Sequence, residues 1–245
     1  MSGDNIQHNI QKARELIAGA ANICVLTGAG ISQESGVPTF RGEDGLWRQY
    51  RAEELATPEA FYKDPKLVWE WYDSRREIIS KAKPNPAHYA LAELEEKTPA
   101  FSLITQNIDG LHRLAGSKNI VEIHGNIWQT RCTLTGVVEE NHDVPLKELP
   151  PKCAETGELA RPNVVWFGEM IPAAVIDQCL NFIESCELML IIGTSALVQP
   201  AASMGVAAKQ RGKPVIELNL DPTPNTGFYD ISLQGKAGEI LPQIV

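Results

Sequence analysis

Cysteine is scarce in this chain: five residues among 245, an odd number scattered along its length. That pattern offers no disulfide framework of the kind that staples small extracellular domains. Basic charge is also short, with 22 Lys and Arg against 31 Asp and Glu, a formal net charge of −9 and a pI near 5.1. No run of like charge offsets that average, which argues against a surface for nucleic acid or anionic membrane. No stretch approaches the ~18 apolar residues of a membrane span. The polar opening Met1-Ser-Gly-Asp-Asn-Ile-Gln-His8 lacks the basic flank and apolar core of a secretory signal. Internal repeats and low-complexity tracts are missing too. The expectation is a cytoplasmic protein, with neither nucleic acid nor membrane among its partners.

What is present describes a globular protein able to bury a full core and carry one small accessory module, with 43% hydrophobic and 22% charged residues. Residues 5–18 place Ile6, Ile10, Ala13, Ile17 and Ala18 at helical period. Short apolar runs at 21–27, 101–105, 120–123, 188–193 and 214–219 read as buried strands, and 86–97, 172–185 and 199–211 as helices. Strands alternating with helices predict a parallel sheet covered on both faces. Two segments break the alternation. Residues 40–84 hold the polar loop Arg41-Gly-Glu-Asp-Gly-Leu-Trp47, then helical sequence in which Thr57-Pro58 and Asp64-Pro65 read as N-cap plus first-turn proline. Residues 126–163 lack periodicity and carry two cysteines with Pro145, Pro150, Pro151 and Pro162.

The segment Phe101-Ser-Leu-Ile-Thr-Gln-Asn-Ile-Asp-Gly-Leu-His112 begins as a buried strand and ends in polar groups, and Ile120-Val-Glu-Ile-His124-Gly125 follows. Ligands of α/β sheets sit outside the carboxyl ends of the strands. Gln106, Asn107, Asp109 and His124 are therefore expected in one crevice, a set suited to hydroxyl and amide recognition and to proton transfer near neutrality. Taken singly, Asn107 and Asp109 read equally as turn formers and His124 as a core histidine.

Upstream, Gly28-x-Gly30 after a strand hints at a phosphate loop, although a dinucleotide fingerprint would want glycine where Gln33 stands. In the longer run to Arg41, Ser32 and Arg41 can meet phosphates and Phe40 can cover an apolar ring face.

The ordered set Gly28-Ala-Gly-Ile-Ser32, Gly36-Val-Pro-Thr-Phe-Arg41, Thr105-Gln-Asn-Ile-Asp-Gly-Leu-His112, His124-Gly125, Trp166-Phe-Gly-Glu169, Gly193-Thr-Ser195 and Asn219-Leu-Asp221 resembles the sirtuins, NAD-dependent protein lysine deacylases. The resemblance runs from about residue 20 to 240. It implies a Rossmann-like domain over 1–39, 85–125 and 164–245, and a smaller inserted module over 40–84 and 126–163, part helical and part a degenerate zinc ribbon. It implies NAD as cofactor and acyl-lysine proteins as partners.

By that resemblance Gly28, Ala29, Gly30, Ser32, Phe40, Arg41 and Trp47 serve the pyrophosphate and nicotinamide ribose. Gln106, Asn107 and Asp109 would take the ribose and nicotinamide amide, and Gly193, Thr194, Ser195, Asn219, Leu220, Asp221 and Ala237 the adenosine half. Val165-Trp-Phe-Gly-Glu169 (Val165, Phe167, Gly168 and Glu169) and Ala196-Leu-Val198 would clamp the acyl-lysine peptide as an added strand. Asn107 and His124 would be catalytic, with His124 deprotonating a ribose hydroxyl; the products would be nicotinamide, O-acyl-ADP-ribose and free lysine.

In residues 65–81, Val68, Tyr72, Arg75 and Ile79 share one helical face, and Arg75 is out of character there. An inward guanidinium needs an anion. It finds a protein carboxylate, snorkels to solvent, or grips the carboxylate of a succinylated or malonylated lysine beside Tyr72. Tyr72-x-x-Arg75, with Ala56 before Thr57-Pro58, resembles the sirtuins that remove anionic acyl groups.

The departure from the family lies at Cys132-Thr-Leu-Thr135-Gly136 and Cys153-Ala-Glu-Thr156-Gly157, where the second cysteine of each zinc pair is threonine. Two thiolates and two hydroxyls make a poor zinc site, so the expectation is no tightly bound metal, with His142 and Glu155 as the substitutes to consider and a Cys132–Cys153 cross-link on oxidation. Cys24, Cys179 and Cys186 read as inert core. An NAD-dependent ADP-ribosyltransferase and an NAD-sensing module without turnover are the rival functions.

Overall fold

The computed structural model describes residues 3–38 and 52–245; the expected cofactor residues Phe40, Arg41 and Trp47 lie outside them. The chain runs α1 (Gly3–Gly19), β1 (Asn22–Thr27), α2 (Gly30–Gln33), α3 (Ala52–Leu55), α4 (Pro58–Lys63), α5 (Pro65–Lys81) and α6 (Pro86–Lys97). β2 (Ala100–Thr105), α7 (Leu111–Leu114), β3 (Ile120–Glu122), β4 (Gly125–Cys132), β5 (Val138–Glu140) and β6 (Ala160–Val164) follow. α8 (Ala173–Ser185), β7 (Leu188–Ile192), α9 (Ala201–Gln210), β8 (Val215–Asn219), β9 (Ile231–Gln234) and α10 (Ala237–Ile244) complete it.

Six strands form one parallel sheet in the order β3-β2-β1-β7-β8-β9. Alternation along β1 explains its two covered faces. Ile23 and Val25 join a core closed by Ile10 and Ile17 of α1, Leu91 of α6 and Leu241 of α10. Cys24 and Leu26 face the opposite side, against Cys179 and Ile183 of α8 and Met204 of α9. The three cysteines expected as core are fully buried here. No helix among the described residues is long and apolar enough to cross a membrane.

The chain leaves β1 toward β2 on one side and reaches β7 on the other, so the order reverses between β1 and β7. That reversal opens the crevice in which doubly wound folds bind ligands. The loops after β1, β2, β7 and β8 all emerge at this end.

Proline capping behaves as the sequence expects. Thr57 accepts from the Ala60 amide at 3.1 Å and Asp64 from the Leu67 amide at 3.0 Å, opening α4 and α5. Val68, Tyr72 and Ile79 of α5 are buried as their spacing predicts, but the fully buried arginine is Arg76, one residue beyond Arg75. Its guanidinium donates to the carbonyls of Ile127 (2.8 Å), Asn141 (2.6 Å) and Asp143 (3.1 Å) and to Asn141 Oδ1 (2.9 Å). It thereby pins α5 to residues 126–163. That stretch, aperiodic in sequence, forms an antiparallel sheet in the order β5-β4-β6. Its apolar side chains pack with Phe61, Trp69, Trp71 and Trp166 in a third core of their own.

Candidate active site

Three loops meet at the crevice and are tied by side-chain amides. Gln106 Nε2 donates to Thr194 Oγ1 at 2.9 Å, Asn107 Nδ2 to Gly28 O at 3.2 Å and to Ser32 Oγ at 3.1 Å, and Asn219 Nδ2 to Thr194 O at 2.7 Å. The glycines serve this junction. A Cβ on Gly28 would stand 2.8 Å from Gly193 O, and one on Gly30 2.8 Å from Gly193 Cα. The Gly30 amide donates to Gly193 O at 2.8 Å. The close approach that the glycine pair permits here is backbone against backbone, between the turns after β1 and β7.

Between these loops and the smaller module lies a cavity of about 1470 Å³. Gly28, Ala29, Gly30, Ser32, Gln106, Asn107, Asp109 and His124 line it, with Gly193, Thr194, Ser195, Asn219, Leu220, Asp221 and Ala237 toward one end. Tyr72, Arg75, Ala56, Val165, Phe167, Gly168, Glu169 and Val198 complete the wall. The described residues singled out from sequence for cofactor and substrate therefore share one space.

His124 Nδ1 lies 2.9 Å from the Gln106 carbonyl. A carbonyl only accepts, so Nδ1 carries the proton and Nε2 keeps its lone pair, the state a general base requires. Burial lowers the imidazole pKa, and the carbonyl partly restores it. Asp109 is buried and its pKa is raised by desolvation, against the pull of the Leu111 amide bonded to Oδ1 at 2.9 Å.

Across the cavity, Trp166 Nε1 donates to Tyr72 Oη at 2.9 Å. The phenol, pushed well above its ordinary pKa mainly by burial, stays protonated and retains its own proton to donate. Arg75 Cζ sits 5.1 Å from the Trp71 ring centroid. Burial draws the Arg75 pKa down and the neighbouring Tyr72 opposes it; a guanidinium so far above neutrality keeps its charge. The 165–169 segment is braced by Arg161, which meets both Glu169 oxygens at 2.6 and 2.8 Å. The Trp166 amide adds a bond to Glu169 at 2.8 Å. The Glu169 carboxylate thus shapes the wall from behind.

Sequence reasoning passed over two buried histidines beneath the glycine loop. His88 Nε2 lies 3.4 Å from Ser32 Oγ, His112 Nε2 lies 2.9 Å from Thr27 Oγ1, and the two rings are 4.8 Å apart. Burial lowers the His88 pKa to about 4. The available signal was Asn85-Pro86-Ala87-His88: Asn85 caps α6, and His88 answers the Asn85 amide at 3.3 Å. Asn85 Nδ2 also reaches Ile31 O at 2.7 Å, fixing α6 to the glycine loop.

At the two knuckles Cys132 Sγ lies 3.5 Å from Thr156 Oγ1, and Cys153 Sγ 3.8 Å from Glu139 Oε1. The turns keep their left-handed glycines, Gly136 (φ +74°) and Gly157 (φ +72°). His142 is engaged elsewhere, 3.2 Å from Glu140 and stacked on Trp128. Among the described residues no group of three or more His, Cys, Asp and Glu is placed to hold a metal.

A doubly wound sheet with amides, hydroxyls and one poised histidine at its topological switch point defines a nucleotide-dependent α/β enzyme. More particularly, the chain belongs to the Sir2 family, whose signature matches residues 28–200. It is 50% identical over 223 residues to an NAD-dependent protein deacylase of Aquifex aeolicus, covering 91% of this chain and 93% of that one. It superimposes on a Sir2 homologue–NAD complex with a TM-score of 0.91 at 49% identity, covering 96% of this chain and 91% of that one. A Sir2 homologue mutant bound to 2'-O-acetyl ADP ribose gives a TM-score of 0.90 at 49% identity, covering 96% and 94%.

Proposed function

We propose that this chain is an NAD-dependent protein lysine deacylase acting on acetyl-lysine and on the anionic succinyl- and malonyl-lysine. The observation that carries the reading is His124, fixed with Nε2 unprotonated in the same cavity as Tyr72 and Arg75. Membership in the Sir2 family and the likeness to deacylases support the reaction type.

The cavity suits NAD by its volume and by its polar lining of Gln106, Asn107, Ser32, Thr194, Ser195 and Asn219. NAD would supply the ribose carbon that the acyl oxygen attacks as nicotinamide leaves, and the ribose hydroxyl on which the acyl group ends. Within that frame Asn107 and Asp109 orient the nicotinamide end, while Asn219, Leu220, Asp221 and Ala237 hold the adenosine end. His124 accepts a hydroxyl proton at Nε2. Residues 165–169 and 196–198 would receive the peptide backbone on either side of the acyl-lysine.

Tyr72 and Arg75 set the acyl preference. A neutral phenol with a free proton and a charged guanidinium converge on one wall, which matches a terminal carboxylate better than a methyl group. The same reading places the protein in the cytoplasm, and the module at Cys132 and Cys153 is expected to fold without zinc.

The test is incubation with NAD and matched acetyl- and succinyl-lysine peptides, followed by mass spectrometry. Nicotinamide together with O-acetyl- and O-succinyl-ADP-ribose supports the proposal. ADP-ribose appearing on protein would favour the transferase instead, and no nicotinamide release would leave a sensing module.

A further inference from the structure

Glu217 in β8 is a carboxylate with 1% exposure, inside a sheet and behind the cavity wall. Burying a carboxylate is costly unless hydrogen bonds replace its water. Three hydroxyls do so. Thr223 Oγ1 donates to Oε1 at 2.6 Å, Thr226 Oγ1 to Oε2 at 2.5 Å, and Ser232 Oγ of β9 to Oε2 at 3.3 Å.

The threonine hydroxyls are oriented by the loop itself. Thr226 Oγ1 accepts the Thr223 amide at 2.8 Å, and Thr223 Oγ1 accepts the Asn225 amide at 3.2 Å. Each hydroxyl takes an amide proton from the loop and gives its own proton to the carboxylate. Asn225 Nδ2 adds a bond to Ala202 O at 3.0 Å, on α9. The loop secured in this way carries Leu220, Asp221, Pro222, Thr223 and Pro224, which line the cavity. Two residues along the same strand, Asn219 secures the neighbouring turn through Thr194 O. One face of β8 therefore anchors both loops at the adenosine end.

We infer that Glu217 is a positioning residue for NAD: it fixes residues 220–226 in the shape that receives adenosine, without touching the cofactor. This rests on the cavity being the NAD site of the deacylase. A loop whose two threonine hydroxyls converge on one buried acceptor group is held more firmly than one that bonds only to water. Removing the acceptor leaves the loop to be ordered by the ligand, and that ordering subtracts from affinity.

The experiment compares wild type with Glu217→Gln, Thr226→Val and Ser232→Ala, using calorimetry with ADP-ribose, steady-state kinetics and thermal denaturation. Glu217→Gln and Thr226→Val are expected to weaken ADP-ribose binding and raise the KM for NAD by roughly tenfold, the scale of about one buried hydrogen bond. The kcat and the KM for acyl-peptide should stay within about twofold, since neither variant alters the reacting end. Ser232→Ala removes a bond to the same carboxylate from the opposite side and should lower Tm while leaving ADP-ribose affinity unchanged. Thr226→Val, a substitution in a half-buried loop, keeps the test open should Glu217→Gln unfold. Wild-type ADP-ribose affinity in folded Thr226→Val, or an equal loss in Ser232→Ala, would overturn the inference. A wild-type chain that binds ADP-ribose but turns over no acyl-peptide would instead fault the deacylase reading and leave the calorimetry to decide on Glu217.

Discussion

The indole Nε1 of Trp128 donates to the backbone carbonyl of Asp109 at 2.9 Å, joining the small antiparallel sheet to the loop that bears Asn107 and Asp109. The same ring lies 5.0 Å from the Arg76 guanidinium and stacks on His142 with centroids 5.6 Å apart. Its Cδ1 stands 3.2 Å from where a Cβ on Gly110 would be, at φ +77°, so glycine is required for the loop to turn beneath the indole. Replacing Trp128 with Phe keeps most of the packing and removes the donor. The expected cost is about 1 kcal/mol, read as a roughly fivefold fall in kcat/KM for NAD. Initial rates at varied NAD check it; an unchanged value would mean that Asn107 and Leu111 hold the loop without the indole.

Arg75→Met tests the acyl preference. Methionine preserves volume and apolar contact but removes the charge, so a substrate carboxylate would face a buried wall without a cation. Desuccinylation should fall at least ~100-fold, on the scale of a lost charge-assisted bidentate contact, while deacetylation persists. Paired acetyl and succinyl peptides give the ratio directly, and equal losses would sink the idea.

How much of this was legible in the sequence differs by element. β1, β2, β7 and β8 are short apolar runs buried on both faces, and α6 runs from Pro86 to Lys97 at the bounds its pattern predicts. β9 and α10 were missed. β9 is an edge strand of four residues, and α10 carries Pro242, which reads as a helix breaker. The small sheet was also missed: β5 has only three residues, half to fully exposed, and β6, although its burial alternates, is five residues long with Pro162 at its centre, which reads as a strand breaker. The gathering of Gln106, Asn107, Asp109 and His124 in one cavity was more legible, because they are exceptional residues at strand ends. Arg76 was not, since a buried arginine satisfied by backbone carbonyls looks in sequence like any solvated one.

Arg76 and the altered knuckles make a joint prediction about metal. With threonine at 135 and 156, the module relies on its apolar core and on the four bonds from Arg76. Chelator treatment should therefore leave Tm unchanged, and elemental analysis of fresh protein should find no stoichiometric zinc. Arg76→Met should cost about 3 kcal/mol, because buried carbonyls lose their donors, and unfold the module at lower denaturant. A Tm that falls with chelator would place a metal at Cys132 and Cys153 after all.

Acid should destabilise the protein through its buried histidines. His88 is lowered to about 4 by burial. His112 is lowered well below its ordinary value by burial first and by His88 second. In the unfolded chain both titrate near 6.5. A depressed histidine is neutral in the fold while its unfolded counterpart takes up a proton. Its contribution is therefore fully present above about 6.5 and is lost as pH falls toward the folded value, up to about 1.4 kcal/mol per pH unit for each group. For His88 the loss runs from about 6.5 down to 4 and then stops. Glutamine at this position keeps an acceptor for the Asn85 amide and a donor for Ser32 but cannot titrate. Denaturation midpoints taken between pH 7 and 5 should fall more steeply in wild type than in His88→Gln; parallel curves would mean that His88 titrates normally. The catalytic reading gives the matching kinetic sign. His124 is also lowered by burial, so Nε2 remains unprotonated somewhat below 6.5, and the acid limb of kcat/KM should lie below that value.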